Sequence, residues 1–201
     1  AHMFSYLMVI MVILLLLNSF SQESKLPNII MMIGDGMGLS QISSGMYSNN
    51  NYTSLERSHH IGLIKTHAFD DLVTDSAASG TAMSSGVKTY NGVVGMDVNY
   101  SPVKSILEIS RDKGYITAII ATSTIVHATP ASYYSKVKSR YDYDEIASQL
   151  SKSNINFFVG GGEKYFNDRR DKRNLMNEMD DYLFANSLES FIRINSNKIG
   201  F

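Results

Sequence analysis

Short apolar runs followed by glycine or small polar residues, alternating with segments that carry helix-capping signals, constrain this chain more than any other feature. Residues 27–33, 115–122 and 155–159 read as buried strands of a few residues each, and 61–66 is a further strand candidate. Between them the pattern predicts a helix plus loop over 39–60. A helix starting at Asp75-Ser76 and ended by Gly86 comes next, then one opened by Ser101-Pro102 and closed by Gly114. Thr129-Pro130 reads as a cap with proline at the first helical position, and 144–152 and 171–185 read as helices. Tyr90-Asn91-Gly92 is a turn signal. Strands alternating with helices imply an α/β fold, a parallel-rich central sheet with helices on both faces, in one domain.

The 201 residues include no cysteine, which removes disulfides, thiolate metal sites and cysteine nucleophiles together. A bound metal would need oxygen and imidazole ligands. A formal net charge of -1 gives no basic face for nucleic acid. Residues 4–17 form an uncharged apolar run too short to span a bilayer comfortably, and Ser19-Phe20-Ser21 supplies a small-x-small cleavage pattern. Residues 1–21 are therefore expected to be a signal peptide of an exported, periplasmic or extracellular protein, with Ala1-His2 additional to a natural start at Met3. Membrane association would arise only if that segment were left uncleaved.

In open α/β sheets chemistry collects at the carboxyl ends of strands. Gly34-Asp35-Gly36-Met37-Gly38 follows the first run with an acid inside the turn, either a plain acidic turn or a carboxylate exposed to a metal. Thr74-Asp75-Ser76-Ala77-Ala78-Ser79-Gly80 places a serine at the start of a helix of small residues. There unpaired N–H groups and the helix dipole favour an oxyanion or a phosphate, although Asp and Ser are also ordinary caps. Taken singly, Thr129 is equally an N-cap, and Arg140 a solvated member of the basic run Lys136, Lys138, Arg140.

Asn28-Ile29-Ile30 with Gly34-Asp35-Gly36-Met37-Gly38, and Val73 through Ser79, resemble the alkaline phosphatases. So do Gly86-Val87-Lys88-Thr89-Tyr90-Asn91-Gly92, His127-Ala128-Thr129-Pro130-Ala131 and Gly160-Gly161-Gly162, in the family's order from about Pro27 onward. The resemblance implies a three-layer α/β sandwich, hydrolysis of phosphate monoesters through a phosphoserine, two Zn2+ ions and one Mg2+ ion, and a homodimer. It implies that Ser76 is the nucleophile, that Arg140 grips the substrate phosphate and that Asp75 holds Arg140. Asp35 resembles the carboxylate shared between zinc and magnesium, Thr129 the hydroxyl ligand of magnesium, and His127 a residue near the third metal. His59, His60 and His67 are read as surface or structural.

The resemblance also implies zinc ligands further downstream. The last histidine is His127, and no Asp/His cluster follows it before Phe201. Residues 22–201 are therefore expected to be the N-terminal part of an alkaline phosphatase-like catalytic domain, incomplete and inactive alone. The competing readings are a non-catalytic phosphate-binding module, which would take up phosphate equally well in EDTA, and an exported protein with a degenerate enzyme fold.

Overall fold

The computed structural model describes residues 27–194 and 199–200, so the signal-peptide expectation for residues 1–21 lies outside the described residues. The chain divides into two units, Ala1–Gly36 and Met37–Phe201. In the first, residues 27–34 carry no strand assignment and Asp35-Gly36 forms a turn with Gly36 at φ 67°.

The second unit opens with helix α1 (Leu39–Ser48) and a 3-10 turn at Ser54–Arg57, whose Thr53 and Glu56 make a capping box. Helix α2 is Ser76–Ser85 and α3 is Ile106–Asp112. Strand β1 (Ala118–Thr124) runs into the four-residue helix α4 (Ala128–Ala131), followed by α5 (Tyr143–Ser151) and β2 (Phe157–Gly161). Short helices α6 (Lys164–Asn167) and α7 (Leu175–Glu178), strand β3 (Leu183–Phe184), helix α8 (Leu188–Arg193) and strand β4 (Ile199–Gly200) complete the order.

The four strands form one sheet in the order β1-β2-β4-β3, every pair parallel. Ile119 lies opposite Phe158, and Phe158 opposite Gly200. Helix α5 buries Ile146, Ala147 and Leu150 on one face and packs against the short helices α6 and α7. Phe158 is buried among the rings of Phe166, Tyr182 and Phe184. Along β1, Ile119 is buried while Ile120 is exposed.

Five of the expected local features differ in the structure. Residues 27–33 and 61–66 are apolar but form no assigned strand; Met32 is 90% exposed and Leu63 99%. Apolar side chains favour a strand, yet a strand exists only through a ladder with a neighbour. The helix expected at Ser101-Pro102 begins later, at Ile106. Asp97 Oδ1 accepts the N–H groups of Asn99 and Ser101, and Met96 bridges Pro102, so Ser105 with Glu108 becomes the capping box. Pro130 is the third residue of α4 rather than the first, and His127 is its N-cap. The expected helix over 171–185 shrinks to α7, because buried Tyr182 turns inward to donate its hydroxyl to the Ile155 carbonyl and β3 then joins the sheet. Among the described residues no helix is long and apolar enough to cross a membrane.

Candidate active site

Helix α2 starts where it does because Asp75 stays extended (φ -96°, ψ 175°) and its Oδ1 accepts the Ala78 N–H at 2.9 Å. It stops at Gly86, whose φ of 76° places a left-handed residue just past the helix end. Ser76 is thus the first helical residue, on the turn whose N–H groups have no intrahelical acceptor.

The small residues of α2 let it seat against α4. A Cβ at Gly80 would fall 2.8 Å from Ser132 Oγ and 3.5 Å from Thr129 Cα, and the Ser84 hydroxyl donates to the Ser132 carbonyl at 2.8 Å. That packing brings Thr129 and its neighbour His127, just past the carboxyl end of β1, to the flank of α2. The approach behind them is tight as well. Ile125 N–H donates to the Gly161 carbonyl at 2.8 Å, and a Cβ on Gly160 would press to 3.0 Å from the Ile125 backbone.

Arg140 arrives from another direction. Val94 and Val137 form an antiparallel bridge with both bonds at 3.0 Å, and the Arg140 N–H donates to the Gly92 carbonyl at 2.8 Å. The side chain then reaches α2, where Nη1 donates to Asp75 Oδ2 at 2.9 Å. The same oxygen accepts the Gly92 N–H at 3.0 Å. Nη2 lies 3.1 Å from His127 Nε2. A guanidinium has no acceptor, so Nε2 accepts and the ring proton in this arrangement is on Nδ1. The Asp75–Arg140 pair is largely shielded, with side chains 25% and 17% exposed.

Three of the five guanidinium N–H donors remain beyond the two used by Asp75 and His127, enough for two oxygens of one phosphate. The neighbouring lysines have other partners. Lys136 pairs with Glu108 at 2.8 Å, and Lys138 lies over the Tyr100 ring. Burial pushes the Glu108 carboxyl up, but the Lys136 ammonium and the Ser105 hydrogen bond outweigh it and leave the group below its ordinary range.

Asp75, Arg140 and His127 are therefore joined by hydrogen bonds, with Ser76 adjacent to Asp75 and Thr129 on the packed α4. Asp35 belongs to the turn of the first unit. His59, His60 and His67 are exposed. Among the described residues no group of three or more His, Cys, Asp or Glu could hold a metal ion. Zinc centres use three or four such ligands, and His127 Nε2 is engaged by Arg140, so these residues do not amount to a zinc site. Asn91 also belongs to the site. Its carboxamide bonds to the backbone on both sides of Thr74, whereas in the sequence it signalled only a turn.

The family model for alkaline phosphatase matches residues 26–187. The chain belongs to the alkaline phosphatase family. It is 41% identical over 172 residues to alkaline phosphatase 4 of Bacillus subtilis, covering 78% of this chain and 37% of that protein. It is 34% identical over 181 residues to the repressible alkaline phosphatase of Saccharomyces cerevisiae, covering 83% and 32%. The solved alkaline phosphatase of the Antarctic bacterium TAB5 superimposes with a TM-score of 0.77 at 38% identity, over 83% of this chain and 50% of that one. A TAB5 variant with one histidine replaced by aspartate, solved with magnesium in its M3 site, superimposes at 0.78. The chain thus spans about a third of the length of the curated relatives it matches and about half of the solved ones.

Proposed function

We propose that this chain carries the nucleophile and phosphate-gripping half of an exported, homodimeric phosphomonoesterase, and that turnover needs a polypeptide longer than these 201 residues. Ser76 Oγ attacks phosphorus, the Oγ–P bond forms and the ester P–O bond breaks. The alcohol then leaves with a proton. Water next attacks the phosphoserine, the Oγ–P bond breaks, and inorganic phosphate departs as the serine hydroxyl is restored. Free donors of Arg140 hold two phosphate oxygens throughout, and Asp75 keeps the guanidinium aimed at them. The N–H groups of the first turn of α2 favour the negative charge arriving at Ser76.

The observation that carries this reading is the hydrogen bond between Arg140 and Asp75, the residue immediately before Ser76. Asp35, Ser76, Thr129 and His127 would supply only part of the zinc and magnesium ligands of the proposal, and the remaining ligands would come from further chain, since the described side chains do not assemble a zinc site. The test compares the purified 201-residue chain with the product of the full reading frame, using a chromogenic phosphate monoester with added zinc and magnesium. Turnover by the longer product alone is expected. Robust turnover by the 201 residues, abolished by Ser76→Ala, would overturn the requirement for further chain.

A further inference from the structure

The turn at Asn91-Gly92 faces the backbone just before Ser76 and holds it at several points. Asn91 Oδ1 accepts the Asp75 N–H at 2.8 Å, and Asn91 Nδ2 donates to the Val73 carbonyl, also at 2.8 Å. The next residue, Gly92, gives its N–H to Asp75 Oδ2 at 3.0 Å and takes the Arg140 N–H on its carbonyl at 2.8 Å. The turn requires φ of 84° at Gly92, a conformation that glycine adopts without strain.

From this geometry we propose that Asn91 is a positioning residue for the phosphoryl-transfer site, resting on the reading of Ser76 as nucleophile. The Asp75 N–H precedes the helix and has no intrahelical acceptor, so the Asn91 carboxamide supplies one. The second bond, to Val73, fixes the direction from which the chain enters α2. One carboxamide therefore sets the orientation of Asp75, while the adjacent peptide sets that of Arg140. The nucleophile and the phosphate grip are referenced to the same two-residue turn. Asn91 is exposed, and the α2 cap is already supplied by Asp75, so neither core packing nor capping accounts for its contacts. Its contribution is preorganisation: a displaced entry segment moves Ser76 Oγ relative to the Arg140 donors, and misplacement of about 1 Å costs on the order of 10²-fold in rate.

The test uses Asn91→Ala, with Asn99→Ala in the following exposed turn as control. In the 201-residue chain, hydrogen exchange at the Asp75 amide is read by NMR. Asn91→Ala should accelerate it by about tenfold or more, leaving the buried Val94 amide and the urea midpoint unmoved. In the product of the full reading frame, kcat should fall by about 10- to 100-fold while KM changes much less, because Arg140 keeps its bond to Asp75. Asn99→Ala should change neither readout. Unaltered exchange at Asp75 would overturn the clamp. So would a kcat loss no larger than the loss of folded protein. If the unsubstituted longer product shows no phosphatase activity, the proposed function fails, and the exchange experiment still decides whether Asn91 holds this segment.

Discussion

Replacing Asp75 by Asn isolates the charge that ties α2 to Arg140. Asparagine caps helices about as well as aspartate, so the bond to Ala78 N–H is retained and the capping contribution hardly changes. What changes is Oδ2, which accepts from both Gly92 N–H and Arg140 Nη1. A carboxamide NH2 there confronts two donors. Each hydrogen bond to an ionised group contributes roughly 1.5–3 kcal/mol. With side chains 17% and 25% exposed, water recovers part of that loss, leaving a net cost of about 2–3 kcal/mol. With a urea dependence of about 2 kcal/mol per molar, the midpoint should fall by about 1 to 1.5 M. Adding Arg140→Gln should cost little more, because the partner is already lost. Equilibrium unfolding in urea followed by far-ultraviolet circular dichroism measures both. A midpoint shift below about 0.3 M for Asp75→Asn would refute the argument, because solvent would then be replacing the pair completely.

Two glycines should respond in opposite directions. At Gly95 (φ 63°) a Cβ would meet the Ser135 carbonyl oxygen at 2.0 Å, so Gly95→Ala should destabilise by about 3 kcal/mol, whereas Gly45 inside α1 has open space and Gly45→Ala should stabilise by about 0.5–1 kcal/mol; thermal unfolding separates them. Hydrogen bonds from the Arg169 guanidinium, with a further one from the Arg173 N–H, hold Asp171 at about 2. The folded value lies below the unfolded one, so its stabilisation is fully present above about pH 4 and is lost as pH falls through about 2. Asp171→Asn should therefore flatten the acid limb of a stability–pH curve in that window.

Elements whose signals are local were legible in the sequence. Helix α2 carries its own start at Asp75 and its own stop at Gly86, and β1 and β2 overlap the apolar runs 115–122 and 155–159, each starting later and ending two residues further on. Elements that depend on a distant partner were not. Residues 27–33 have strand composition, yet composition supplies no ladder. Ser101-Pro102 looked like a helix start because the sequence does not reveal that Asp97 Oδ1 draws the Ser101 N–H into a turn. Tyr182 is one more helix-compatible residue until its hydroxyl finds Ile155. The site divides the same way. Adjacency made Asp75-Ser76 visible, but Arg140 lies 65 positions from Asp75, and only the family resemblance suggested that they meet. Asn91 showed no chemistry because its partners are backbone atoms, which a sequence does not mark.

The proposed two-step hydrolysis requires that Ser76 be the side chain that receives the phosphoryl group. Quenching the product of the full reading frame in acid during turnover, then mapping its peptides by mass spectrometry, should find one added phosphoryl group on Ser76 and none in Ser76→Ala. Phosphate carried by a different residue, or undiminished turnover by Ser76→Ala, would contradict it.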